Sequence, residues 1–132
     1  MSIELKMLLF MVALFFVQLI AQVVAEVLQH GLGYAVSPRD DWKNPTGMAG
    51  RIERAYFNLL ETMPAFAALV LIVLYTGNAN ENTALGAQIY FWGRVIYVPA
   101  YLAGIPFLRT LIWTVSTIGL LLMFWELIRL AF

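Results

Sequence analysis

The sequence predicts an all-α integral membrane protein, a single domain over residues 1–132 folded as an up-and-down bundle of four transmembrane helices. The 132 residues are 62% hydrophobic and only 12% charged, whereas soluble domains are about 45–50% apolar and about 25% charged. Apolar surface in such excess is expected to face lipid. Four apolar segments also stand out, each near the roughly 20 residues that a helix needs to cross a bilayer. They lie at residues 5–28, 52–75, 83–102 and 106–131.

The first segment resembles a signal peptide at first sight, because Lys6 precedes an apolar run. That run continues to Val27, which is longer than the roughly 7–15 apolar residues of a signal sequence. We therefore expect a retained transmembrane helix.

The connections between the segments differ in length. The first loop, residues 30–50, is the longest, and the second, residues 76–82, is short and polar. The third is only residues 103–105, where Gly104 can end one helix in a left-handed conformation and Pro106 can begin the next. Such tight connections join antiparallel neighbours, as an up-and-down bundle requires.

The distribution of basic residues predicts the orientation. The positive-inside rule places the first and third loops in the cytoplasm and both termini outside. The residues concerned are Arg39, Lys43, Arg51, Arg54 and Arg109 on the first side, against Lys6 and Arg129 on the other.

The composition also argues against several classes of partner and site. The net charge is zero, which argues against a nucleic-acid partner. The chain has no cysteine and one histidine. Disulfides, a protein thiolate and Cys-based metal sites are therefore excluded, and we predict no metal site.

A polar stripe runs along the second predicted helix. Arg51, Arg54, Asn58 and Glu61 are spaced by 3, 4 and 3 residues. At 100° per residue they fall within a sector about 80° wide. Ionisable groups within a membrane span are costly and usually mark function.

The third predicted helix has a matching face formed by Arg94, Tyr97 and Tyr101. Since the second and third helices are antiparallel, Glu61 and Arg94 lie at similar depth. Pairing the two charges would reduce the cost of burying each of them. Spacing leaves open whether they meet within one chain or across subunits.

The first helix contributes a third polar face, formed by Gln18, Gln22, Glu26 and Gln29. The three faces predict a pocket in the cytoplasmic half of the bundle. Because arginine forks bind carboxylates well, we expect a small anionic ligand that enters from the cytoplasm.

Structural interpretations of the same residues remain open. Arg51 and Arg54 could extend to the interface as ordinary snorkelling side chains. The stripe could hold helices together, and Arg94 could only neutralise Glu61. At the far end of the fourth helix, Glu126 and Arg129 are expected to form a surface ion pair.

The run ERAYFNLLETMPAF, Glu53–Phe66, resembles the signature of the MAPEG family, the membrane-associated proteins in eicosanoid and glutathione metabolism. The matching residues are Arg54, Ala55, Asn58, Glu61 and Pro64. Arg94, Tyr97 and Tyr101, followed by Arg109, resemble the second cluster of the family. The chain is most similar to the short bacterial members, which implies a bacterial inner membrane.

The resemblance implies a homotrimer with active sites between neighbouring protomers, in contact with membrane lipid. It also implies glutathione as co-substrate and a lipophilic small molecule as second substrate. Arg109 would stabilise the thiolate, and Tyr97 would complete the catalytic pair. The implied glutathione-binding residues are Arg51, Arg54, Asn58, Glu61, Arg94, Tyr101 and Gln22.

Three functions are compatible with these features. The first is a membrane-bound glutathione-dependent transferase or peroxidase that acts on lipophilic electrophiles. The second is a non-catalytic lipid-binding or scaffold protein of the same fold. The third is a small transporter with Glu61 as its proton or cation site, against which the surrounding arginines argue.

Overall fold

The computed structural model describes all 132 residues, Met1–Phe132, and its regular structure is entirely helical. The helices are α1 (Ile3–His30), α2 (Leu32–Ala35), α3 (Gly47–Thr76), α4 (Glu81–Leu102) and α5 (Pro106–Ala131). The chain has five helices where four were expected, because the first loop contains the short helix α2. The four long helices match the predicted segments, and the largest difference is at α3, which begins at Gly47 rather than at residue 52.

The helix ends follow from local chemistry. The Ser2 side chain accepts a hydrogen bond from the Leu5 amide at the start of α1. Asn80 and Thr83 form a reciprocal capping box at the start of α4, which satisfies amides that have no partner within the helix. Gly104 has a φ of 73° and Pro106 begins α5, so the predicted stop and start at the third loop are confirmed.

Side-chain contacts at one end of the bundle show its up-and-down order. Thr83 at the start of α4 donates to Glu4 at the start of α1, at 2.5 Å. Asn80 donates to Glu126 near the end of α5, at 3.1 Å. The starts of α1 and α4 and the end of α5 therefore share one end of the molecule. Helices α3 and α4 are central, with α1 and α5 on opposite flanks and not in contact with each other.

Helices α4 and α5 pack more closely than any other pair, because small residues face each other. A Cβ atom on Gly86 would lie 2.6 Å from the carbonyl oxygen of Gly119, and one on Gly93 would lie 2.8 Å from the Cβ of Ser116. Small residues of this kind let the backbones of membrane helices approach. This contact fixes how the residues of α4 and α5 lie relative to each other.

The exterior of the bundle is apolar. Only 26 of the 132 residues are buried, and large hydrophobic side chains lie exposed along all four long helices. Helices α1, α3 and α5 are each long and apolar enough to cross a membrane, and α4 is not among them. An exterior of this kind is stable in lipid rather than in water, as expected for an integral membrane protein.

Glu126 and Arg129 form the expected ion pair, but Glu126 does not lie on the surface. Its side chain is buried, because the first turn of α4 lies against it. Arg129 donates to it at 2.6 Å, and Asn80 and Asn82 donate at 3.1 and 3.3 Å. A buried carboxylate is tolerated when its oxygens are hydrogen-bonded in this way.

Candidate functional site

Arg94 is the centre of the candidate site. Its side chain is 1% exposed, although it lies within a helix of a membrane protein. Its Nη1 donates to Oδ1 of Asn58 on α3 at 2.7 Å, and its guanidinium lies 4.3 Å from the centre of the Tyr97 ring. The Nε and Nη2 atoms are buried and have no hydrogen-bond partner. A buried cation with free donors favours the binding of an anion.

Glu61 does not pair with Arg94 in this chain. The ion pairs are Arg39 with Glu26 and Arg129 with Glu126. Glu61 is exposed, one turn further along α3 than Asn58. Similar depth brought the two charges to the same level of the membrane, but Asn58 is the residue of the stripe that reaches Arg94.

Three further predicted residues, Arg54, Tyr97 and Arg109, form a connected group around Tyr101. The Nε of Arg54 donates to the Tyr101 hydroxyl at 2.9 Å. The Tyr97 and Tyr101 rings lie 5.7 Å apart. The Arg109 guanidinium lies 5.1 Å from the centre of the Tyr101 ring. The structure therefore brings predicted cations of two helices, Arg54 of α3 and Arg109 of α5, onto one surface, where both are exposed.

A cavity of about 250 Å³ opens beside this group. Its lining contains three predicted residues, Asn58, Tyr97 and Arg109, and two that were not predicted, Thr110 and Trp113. Trp113 follows Arg109 by four residues and so lies on the same face of α5. That spacing from Arg109 could have identified Trp113 as a residue of the site.

Arg51 makes its contacts with the backbone of the α4–α5 turn. Its Nη1 donates to the carbonyl oxygen of Leu102 at 3.1 Å, and a Cβ atom on Gly104 would lie 3.2 Å from its guanidinium carbon. This contact satisfies a carbonyl at the end of α4 that has no partner within the helix. A role of Arg51 in cofactor binding stays a prediction.

Polar side chains of α1 form hydrogen bonds and an ion pair with one another and with the first loop. Gln22 donates to Glu26 at 3.5 Å, and Glu26 pairs with Arg39 at 3.1 Å. Gln29 exchanges hydrogen bonds with Thr46. No hydrogen bond joins Gln22 to the site residues of α3 and α4, and its part in binding also stays a prediction.

The chemistry of the group is that of an anion site. It combines one buried and two exposed guanidinium groups with two phenols, an amide and the exposed carboxylate of Glu61. Guanidinium forks bind carboxylates through paired hydrogen bonds. No group of three or more histidine, cysteine or acidic side chains is placed to hold a metal ion.

The comparison with protein families gives a match over nearly the whole chain. A family model described as the MAPEG family matches residues 7–129, which include almost all of α1 and α5 and the whole of the site. A search of curated proteins found no match.

Proposed function

Because the chain belongs to the MAPEG family, we propose that it is a membrane-bound glutathione-dependent transferase or peroxidase. Its second substrate would be a lipophilic electrophile that enters from the bilayer. Glutathione carries two carboxylates and one ammonium group at neutral pH. A site for it therefore needs more cations than anions, together with hydrogen-bond donors, as the group around Arg94 and Tyr101 provides.

The observation that carries the proposal is the state of Arg94. A guanidinium buried in a membrane protein normally has a full set of partners, yet the Nε and Nη2 atoms of Arg94 have none. A carboxylate of the co-substrate would supply them. Arg54 is fixed by Tyr101 at 2.9 Å and is placed to bind the other carboxylate, and Glu61 suits the ammonium group.

When bound, glutathione supplies a thiol, which becomes the nucleophile of the reaction as a thiolate. A nearby cation favours the charged form of a thiol, and Arg109 is the exposed cation that lines the cavity with Tyr97. Tyr97 is oriented by its contact with Arg94, and its hydroxyl can hydrogen-bond the sulfur. Arg109 therefore holds the charge in this proposal, and Tyr97 positions the reacting atom.

A homotrimer is part of the same proposal. Arg54 and Glu61 are exposed in the single chain. Glu61 lies near the middle of α3, and a charged side chain that faces lipid at that depth is costly. The cavity of about 250 Å³ is also smaller than the about 300–1,000 Å³ usual for ligand sites. A neighbouring copy that covers this face would both shield the charges and complete the wall.

The proposed orientation follows from the same site. The α4–α5 turn, the first loop and the arginines of the site lie toward one end of the bundle. We place this end in the cytoplasm, where glutathione is available, and the membrane would be a bacterial inner membrane. The lipophilic substrate would then approach between helices from the side.

Isothermal titration of the purified protein in detergent tests the proposal. We expect binding of glutathione at millimolar concentration and its loss in the double variant Arg54→Ala, Glu61→Ala. The matched control is Lys6→Ala, Glu81→Ala, which removes one exposed cation and one exposed anion at the other end of the bundle. Absence of binding to the unmodified chain, or full binding by the first double variant, contradicts the proposal.

One observation favours the second function, a non-catalytic lipid-binding protein. An apolar groove of about 320 Å³ lies between α1 and α3, lined by Phe15, Leu60, Met63, Pro64 and Ala67. Its size and lining suit an acyl chain. Co-purified lipid together with no thiol conjugation activity would support this function over the first.

A further inference from the structure

Two buried carboxylates at the end of the bundle opposite the Arg94 site differ in their partners. Glu126 is 3% exposed and accepts hydrogen bonds from Arg129 and from two asparagines, so its charge is neutralised. Glu4 is 2% exposed, and its Oε1 accepts a single hydrogen bond, from Thr83 at 2.5 Å. The ion pairs of the chain do not include Glu4. A buried carboxylate without a cation is costly, so a cation bound beside Glu4 would be favoured.

The second oxygen of Glu4 has room for such a cation. Oε2 has no hydrogen-bond partner and is not fully enclosed, and Glu4 lines a cavity of about 270 Å³ between the starts of α1 and α4. This cavity shares no residue with the one beside Arg109. The other lining residues are Ile3, Ala79, Asn80, Glu81 and Ala84.

The lining indicates which cation fits. Glu4 and Glu81 supply two carboxylates, and no basic side chain is among the lining residues. No group of three or more acidic or histidine side chains is placed to hold a metal ion, and calcium takes six to eight oxygen ligands. A primary ammonium group has three N–H donors, so two can bind the carboxylates and one can bind water. Ile3, Ala79 and Ala84 offer apolar surface to the carbon that carries it.

A quaternary ammonium group, such as choline, fits this cavity less well. It has no N–H to donate to a carboxylate. Sites for such groups are usually built from aromatic side chains, and the lining contains none. The cavity therefore favours an ammonium group with hydrogen-bond donors over a methylated one of the same charge.

The position of the cavity indicates where the ammonium group comes from. Ile3 is the first residue of α1 and Glu81 is the first residue of α4, so the cavity lies at the level of lipid headgroups and not within the hydrocarbon layer. Ile3 is 43% exposed, and Leu85, one turn along α4 from Glu81, is 51% exposed. Apolar surface for acyl chains therefore adjoins the carboxylates.

We propose that Glu4 and Glu81 form a binding site for a primary ammonium group, supplied by the headgroup of a phospholipid such as phosphatidylethanolamine. The ammonium group donates to Oε2 of Glu4 and to the carboxylate of Glu81. It supplies to Glu4 the cation that Arg129 supplies to Glu126. The site joins the starts of α1 and α4 to the membrane surface and takes no part in the proposed glutathione chemistry.

Native mass spectrometry of the purified chain in detergent tests the site, with EDTA present and without glutathione. The titrants are phosphatidylethanolamine and phosphatidylcholine with identical acyl chains, which differ only in the methylation of the ammonium group. We expect phosphatidylethanolamine to bind about tenfold more tightly, the effect of one hydrogen bond to a charged group.

Three variants assign the preference to the cavity. Glu4→Gln keeps an acceptor for Thr83 and removes the charge, and it should bind both lipids equally. Glu81→Gln changes an exposed residue and should reduce the preference to about threefold, since one acceptor remains charged. The matched control is Glu53→Gln, the same change near the start of α3 at the other end of the bundle, which should bind like the unmodified chain.

Several results overturn the proposal. They are equal binding of the two lipids by the unmodified chain, or an undiminished preference in a folded Glu4→Gln variant. If that variant does not fold, an undiminished preference in Glu81→Gln has the same meaning.

A separate titration with ethanolamine distinguishes a soluble amine from a lipid headgroup. Glu4-dependent binding of ethanolamine at millimolar concentration, without any preference between the lipids, would overturn the assignment to a lipid. Since no arm contains glutathione, failure of this site and failure of the proposed function are observed independently.

Discussion

The amide oxygen of Asn58 lies 2.7 Å from Nη1 of Arg94, and this is the only hydrogen bond that the buried guanidinium makes. It joins α3 to α4 inside the bundle and sets the plane in which Arg94 stacks on Tyr97. The stability of the fold and the geometry of the site therefore depend on the same contact.

Replacement of Asn58 by leucine should destabilise the protein. Arg94 would lose its acceptor while staying buried, and loss of a hydrogen bond to a charged group costs about 1.5–3 kcal/mol. The measurement is the free energy of unfolding from a denaturant titration in mixed micelles. Asn58→Asp is the control, because it keeps the acceptor and adds an opposite charge. Equal stability of Asn58→Leu and the unmodified chain would contradict this interpretation.

Replacement of Tyr101 by phenylalanine should weaken glutathione binding without unfolding the protein. The variant keeps the ring that contacts Arg109 and removes the acceptor that orients Arg54. We expect the dissociation constant measured by calorimetry to rise about three- to tenfold. Tyr75→Phe, a change at an exposed position at the other end of α3, should have no effect. A Tyr101→Phe variant that binds as tightly as the unmodified chain would show that Arg54 needs no support from Tyr101.

Replacement of Arg109 by alanine should reduce turnover more than binding. If Arg109 stabilises the thiolate, its loss removes an interaction used mainly in the reaction, which costs on the order of 10²-fold in kcat. The ultraviolet absorbance of the bound thiolate should also appear only at higher pH than in the unmodified chain, since the neighbouring cation is gone. Conjugation of a chlorodinitrobenzene serves as the assay. An unchanged kcat together with an unchanged thiolate titration would remove Arg109 from the mechanism.

Replacement of Gly86 by alanine should separate α4 from α5. The new methyl group would lie 2.6 Å from the carbonyl oxygen of Gly119, and a backbone atom cannot move aside as a side chain can. Overpacking of this kind costs about 1–3 kcal/mol, which thermal unfolding in detergent would detect. Gly33→Ala is the matched control, because a Cβ atom there meets nothing within 4 Å. A Gly86→Ala variant as stable as Gly33→Ala would mean that the two helices are less closely packed than described.

Helical periodicity predicted most of the site, because residues that share a face are determined by spacing alone. The stripe on α3 and the face of α4 were identified in this way, and Arg54, Asn58, Tyr97 and Tyr101 do meet. Within the chain the partner of Arg94 is Asn58 and not Glu61, since depth in a membrane does not determine which of two side chains one turn apart reaches across a helix interface.

The path of the first loop could not be predicted from the sequence, for a different reason. Its path depends on long-range contacts between side chains, such as Gln29 with Thr46 and Glu26 with Arg39. These contacts turn the polar face of α1 toward the loop, whereas spacing had suggested that it faces α3 and α4. The helix α2 inside the loop has only four residues, which is too short for a periodic pattern to indicate.

The close contact between α4 and α5 has a consequence for biogenesis. The helix that carries Arg94 has 22 residues, long enough to span a membrane, but it is the one long helix that is not apolar enough to do so by composition. An arginine at the centre of a helix adds about 2.5–3.5 kcal/mol to its insertion. Only the short turn around Gly104 separates α4 from the apolar α5. We expect the insertion machinery to admit the two as one hairpin, in which α5 brings into the bilayer a neighbour that could not enter alone.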